Sequence, residues 1–240
     1  MRPSLARLAI LFLALTKAAT AGEIDDFNAA IEQASSHNRV AIGYLRTGNS
    51  DLAAREIDRL RDAWNDVSSR FAKPPAAFAG HAQLYANTML NVKTVLVAAS
   101  IMINSRHDDV ARDALLDIRN ELYGLRKAAG IVVLADCVRD VNDAMDALFA
   151  YNDVALDWTK PAIGAAITAK ANAYGAALAY CDNLAAASVR DAPEFRRLID
   201  GAKASLTFIP KAIESRDAGL LHRVLIELRS FDNLLAFRFG

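Results

Sequence analysis

The sequence predicts an all-α protein of about eight antiparallel helices in four hairpins. Apolar residues recur at helical spacing nearly everywhere, and alternating β-branched runs are absent apart from the short Ile131-Val132-Val133, itself inside a helical pattern. Alanine, leucine and charged residues dominate while Gly and Pro number only 11 and 6, a composition that leans helical. Polar turns recur between apolar stripes at fixed offsets, and they set the number of hairpins.

The first element is a leader. Residues 1–21 join a basic start (Arg2, Arg7), an apolar run from Leu8 to Leu15 and small residues ending in Ala19-Thr20-Ala21, the three-part pattern of a secretory signal cleaved after Ala21. The apolar run is about 8 residues, far short of the roughly 20 that span a bilayer. Each later apolar stretch is interrupted by Lys, Arg, Asp or Glu, so no membrane span is expected after cleavage. The expected location is the periplasm. Lys and Arg total 28, as do Asp and Glu; removing the leader takes away Arg2, Arg7 and Lys17 but no acid, leaving a slightly acidic chain with no electrostatic case for nucleic acid. What remains is long enough for one domain or two of about 110 residues.

The most regular stripe is Ala53, Ile57, Leu60, Trp64 and Val67, spaced 4, 3, 4, 3. It returns as Ala111, Leu115, Ile118, Leu122 and Leu125. A third copy runs Leu221, Leu225, Leu228, breaks at Asp232 and resumes at Leu235, with Phe231 covering the gap. The three stripes lie at offsets of 58 and 110 positions, and the turns before them keep the same register: Thr47-Gly48-Asn49-Ser50-Asp51, Ser105-Arg106-His107-Asp108-Asp109 and Ser215-Arg216-Asp217-Ala218-Gly219. Each supplies Ser, Asn or Asp as a helix N-cap. A further tip is expected at Asp157-Trp158-Thr159-Lys160-Pro161, with Thr159 as N-cap and Pro161 opening the helix. Breakers at Lys73-Pro74-Pro75, Ala129-Gly130 and Asp191-Ala192-Pro193 separate the hairpins. This organisation predicts an N-terminal helical bundle over residues 22–129 and a C-terminal one over 130–240, as two duplicated four-helix units. The tips recur at a longer period than the about 34 residues of tetratricopeptide repeats, and no family resemblance is read.

Cys137 and Cys181 are the only cysteines, and an exported chain meets an oxidising compartment. Their midpoint is position 159, the expected tip, so both lie at one height in an antiparallel pair. Both also fall on apolar stripes, Leu134-Cys137-Val141-Met145-Leu148 and Leu178-Cys181-Leu184 with Ala185. A structural disulfide is expected, closing a ring worth about 4 kcal/mol by loop entropy. No C-x-x-C supports a redox or metal reading.

Signals for chemistry are sparse. C-x-x-C-H, H-E-x-x-H, paired Glu-x-x-His, G-x-S-x-G and a glycine-rich phosphate loop are all absent. The sequence predicts no cofactor and no metal site, although it leaves haem or copper open, because non-covalent haem needs only His or Met on facing helices. The candidates are His37, His81, His107, His222, Met89, Met102 and Met145, none singled out by spacing; His222 points away from its stripe toward solvent. Arg61, Arg119 and Arg229 superpose in the repeat and are the candidate ligand-binding residues for an anion. Alternatively their stems flank the core and their heads reach acids such as Asp117 and Glu227. The aromatics Trp64, Tyr85, Tyr123, Phe149, Tyr151, Phe231 and Phe237 read as packing. The expectation is a non-catalytic periplasmic protein that binds a partner protein or a small ligand in a groove between its two halves. A haem- or metal-binding bundle, and an enzyme assembled from scattered polar residues around buried charges, are the alternatives.

Overall fold

The computed structural model describes residues 5–240, with side chains from 22 onward; the leader expected over residues 1–21 therefore lies outside the described side chains. The described residues form helices and no strand. In chain order these are α1 (Leu5–Arg46), α2 (Ser50–Arg70), a 3₁₀ turn (Ala76–His81), α3 (Ala82–Asn104), α4 (Asp108–Ala128), α5 (Leu134–Phe149), α6 (Pro161–Leu184), α7 (Ala187–Arg190), α8 (Pro193–Leu206), α9 (Phe208–Glu214) and α10 (Ala218–Phe239). The chain divides into two units, residues 1–131 and 132–240.

In the first unit α1 packs on α2 and α4, and α3 packs on the same two helices, so the four form a ring. Each buries one stripe. Ala53, Ile57, Leu60, Trp64 and Val67 of α2 and Ala111, Leu115, Ile118, Leu122 and Leu125 of α4 are all buried, joined by Phe27, Ile31, Ala34 and Ala41 of α1. Asn38 interrupts the α1 stripe, yet it too is buried, because its amide donates to Leu115 O across the core at 3.0 Å. The end of the unit away from the Gly48 turn is plugged by rings. Pro74 and Pro75 stop the chain from continuing α2, and Phe78 in the 3₁₀ turn meets Phe27 edge to face and Tyr85 at a tilt, with ring centroids 5.4 and 5.5 Å away. Tyr85 donates to Phe71 O at 2.8 Å, and burial, then the charge of Glu23, pushes its phenol up to about 12.

In the second unit α5 packs on α6 and α10, and α8 packs on the same two, repeating the ring. Asp182, beside Cys181, clamps α6 to α8: it accepts from Arg196 at 2.5 Å and Lys203 at 2.6 Å. Burial alone would raise this carboxyl, but the hydrogen bonds and charges of Lys203 and Arg196 outweigh it and hold it below the usual range. The clamp's contribution is thus fully present above the ordinary carboxylate value of about 4 and is lost only as acid takes the pH down through the lowered folded value. Phe231 lies against Gly201, where any Cβ would fall 2.6 Å from its ring.

The hairpin turns are closed by backbone geometry more than by the expected side-chain caps. Gly48, Arg106 and Arg216 have φ of 73°, 62° and 52°. In each turn the next N–H reaches back five residues: Asn49 to Tyr44 O, His107 to Met102 O and Asp217 to Ala212 O, all at 2.9 Å. These are left-handed C-terminal caps of one design. Of the expected N-caps only Asp217 acts through its side chain, accepting from Leu220 N at 2.8 Å; Asn49 and His107 do not.

Two further expectations change. The stretch 150–160 is a longer connection than a tight tip, in which Thr159 N and Oγ1 bond the Asp157 carboxylate and Lys160, not Thr159, is the N-cap. The helix expected after Pro193 breaks at Thr207, because Pro210 has no N–H for Leu206 O and its ring crowds that carbonyl.

Left-handed backbone costs an ordinary side chain about 1–2 kcal/mol. Replacing Arg216→Gly, or Arg106→Gly, is therefore expected to raise unfolding stability by about 0.5–1 kcal/mol in urea melts, whereas Gly48→Ala lowers it by about 1 kcal/mol. A loss of stability from both glycine substitutions contradicts this account of the turns.

Candidate functional site

The cysteines expected to pair are joined: Cys137 on α5 and Cys181 on α6 have Cα atoms 5.6 Å apart, and both residues are buried. The bond ties two neighbouring helices of one unit at the same height.

Of the three candidate arginines, Arg61 is exposed and sits 3.0 Å from Asp58 on its own helix. Arg119 is half-buried on α4. Arg229 turns inward: one guanidinium nitrogen lies 2.7 Å from Asp146 and 3.3 Å from Asp232, and the group covers the Phe149 ring at 4.5 Å. Its acids are thus Asp146 and Asp232, not Glu227. Asp232 is 2% exposed and also accepts from Asn142 at 2.7 Å. The same core holds Tyr174, fully buried, whose hydroxyl has no hydrogen-bond partner; burial raises its pKa strongly and the charge of Asp232 adds to that. The break in the third stripe was the visible signal of this polar centre, but the sequence reading filled it with Phe231. Phe231 remains half-buried, and Asp232 itself goes inside because Arg229 and Asn142 satisfy it.

A cleft of about 290 Å³ opens where α8 breaks into α9, opposite α6. Ala171, Gly175, Leu206, Ile209 and Pro210 give it apolar walls and Asn172 gives it an amide. At both ends the helices close in: a Cβ on Gly164 would fall 2.9 Å from Ile213, and one on Gly175 would fall 3.5 Å from Leu206. The volume is at the lower edge of the roughly 300–1,000 Å³ usual for small-molecule sites. No titratable side chain lines it, so buried charge and cavity do not coincide, and proton transfer has no evident agent there.

The histidines are scattered. His37 Nδ1 lies 2.8 Å from Glu56, whose other oxygen accepts from Arg59 at 2.5 Å. His81 is half-buried at the start of α3, and His107 and His222 are exposed. Met145 is in the core, while Met89 and Met102 are partly buried. Among the described residues no group of three or more His, Cys, Asp or Glu is placed to hold a metal. Phe237, expected in the packing, is exposed; Phe239 takes that role against Phe195, edge to face at 5.2 Å.

The feature with most unsatisfied physics is α3. Its inner face buries Tyr85, Val92, Leu96, Ala99 and Ile103 against α2 and α4. Its outer face carries Leu90, Val97 and Ile101, which are 62%, 53% and 56% exposed. On a 100° wheel these three fall within about 40° of one another and opposite the core stripe. Ala76–Asn104 is in fact long and apolar enough, by length and composition, to cross a membrane, since Lys93 is its one charge. Sequence reading missed this second stripe because Lys93 and Thr94 interrupt it.

In comparisons with known proteins, no family model, no curated protein and no solved structure matches the chain.

Two stability tests follow from these geometries. Because the Tyr174 hydroxyl is buried without a partner, Tyr174→Phe is expected to leave urea stability unchanged or raise it by up to about 1 kcal/mol, while Asp232→Ala, which takes one acceptor from Asn142 and leaves Arg229 its contact with Asp146, costs about 1–3 kcal/mol. A cost above about 1 kcal/mol for Tyr174→Phe would show that the hydroxyl is bonded. Replacing both Cys137 and Cys181 with alanine is expected to cost about 2–4 kcal/mol under oxidising conditions, and an unchanged melt would contradict a stabilising bond.

Proposed function

We propose that this chain is an exported, non-catalytic helical protein of the periplasm, freed of residues 1–21 by cleavage after Ala21, and that it works by holding a partner protein. The outer face of α3 carries this reading. A soluble helix normally has one apolar stripe, and a helix apolar on both sides is covered on both sides. Here the inner stripe is covered by α2 and α4, and the outer one has three large apolar residues each more than half exposed. The leader pattern and the joined, buried cysteines are consistent with export to an oxidising compartment.

A small ligand is the second reading, favoured by the cleft at Pro210 with its apolar walls and the Asn172 amide. In either case the two units read as copies of one four-helix ancestor. Supporting this are the same neighbour order around each ring and the left-handed turns at Arg106 and Arg216, 110 positions apart.

The test is photocrosslinking in cells that export the protein. A photoreactive residue at position 97 is expected to yield discrete crosslinked products in the periplasmic fraction, whereas the same residue at position 61, where Arg61 is exposed beside Asp58, yields none. Equal yields from the two positions, or retention in the cytoplasm with residues 1–21 attached, would overturn the proposal.

A further inference from the structure

We propose that the seam between the outer face of α3 and α4 receives one helix of the partner, apolar along one stripe and basic along the adjoining flank. This rests on the reading of α3 as a protein-binding face and names the chemistry of its occupant.

Three observations define the occupant. The apolar row Leu90, Val97, Ile101 spans about 16 Å at 1.5 Å per residue, the length of three turns of a partner helix. Val110 of α4, also exposed, extends it at the turn. Alongside lie two acids of α4, Asp117 and Glu121, one helical turn apart; Asp113, a turn further, is held by its neighbour Arg112 at 2.8 Å. The hydrogen bond from Asn91 to Glu121, 3.2 Å, places Glu121 on the α3 side of α4 next to the apolar stripe, and Asp117 lies one turn along the same flank. A helix laid on the stripe therefore meets two carboxylates one turn apart on its flank, which suits Lys or Arg at the facing positions and disfavours acids.

The same geometry argues against other occupants. A second copy pairing antiparallel through this face sets acids against acids, and three exposed apolar residues fall well short of the roughly 800 Å² per partner of a standard interface. An anionic lipid surface is repelled by the acids.

The experiment uses the full mature chain and two synthetic helical peptides of about 18 residues. They share a leucine stripe and carry Lys or Glu along one flank. Fluorescence anisotropy of the labelled peptides is expected to show saturable binding of the Lys peptide, weakened by added salt, and at least about tenfold weaker binding of the Glu peptide. Val97→Glu should abolish binding and Asp117→Lys should weaken it by about tenfold. Both positions are exposed, so both variants should keep the wild-type helical spectrum and melting temperature.

Failure of the Lys peptide to bind, or binding indifferent to Val97→Glu, overturns the inference. So does a wild-type dimer that Val97→Glu dissolves, or flotation with phosphatidylcholine vesicles that Val97→Glu abolishes. Should discrete crosslinks at position 97 persist while the Lys peptide fails, the protein-binding reading stands and only the basic-helix chemistry falls.

Discussion

Each long helix of this chain has to bury a stripe of side chains that recurs every three or four residues, and no helix can do so alone. Four such stripes facing one another satisfy the need, and both units reach that solution with the same neighbour order. Turn geometry follows from it. A stripe is of use only if the next helix returns at the right height, and the left-handed residues at Gly48, Arg106 and Arg216 reverse the chain within three residues. Two of those positions tolerate arginine in a conformation that favours glycine, a sign that the packing of the hairpin, rather than the turn residue, dictates the reversal.

The amide and the carboxylate that enter the cores find partners in the ring, whereas the Tyr174 hydroxyl is buried without one. Asn38 reaches a backbone carbonyl of the facing helix, and Asp232 gathers Asn142 and Arg229. At the position 110 residues before Asp232 the first unit buries Leu122. A buried carboxylate with a paired arginine is often no more stable than an apolar substitute, so this centre distinguishes the second unit more than it strengthens it. It lies apart from the cleft at Pro210, which has space but no titratable group.

The parts legible in the sequence were those written in periodicity. Helices, the three buried stripes and the facing cysteines follow from spacing alone, and residues such as Trp64 and Leu228 are buried where their stripes put them. What escaped was conformational or contextual. Arginine at 106 or 216 carries no signal for positive φ, whereas Gly48 does. Pro210 stands among residues that keep helical spacing, which hides the break at Thr207. Asp232 looked like a gap because its partner Asn142 lies 90 residues away. The candidate arginines share a register, and register says nothing of the acids each one meets: Arg61 finds Asp58 on its own helix, and Arg229 finds Asp146 on the neighbouring α5.

Along the second stripe of α3 three large apolar side chains line up on one helix face and stay more than half exposed. Leu90, Val97 and Ile101 have the character of core residues and the exposure of surface ones, a combination that the proposed partner helix would account for. Hydroxyl-radical footprinting read by mass spectrometry tests this directly, comparing these three side chains in the purified protein with the same chain still in the cells that make it. The account predicts ready oxidation when purified and protection in the cell. Oxidation in both states would mean that nothing covers the face, and protection in the purified monomer would mean that the chain covers it itself; either result contradicts the account.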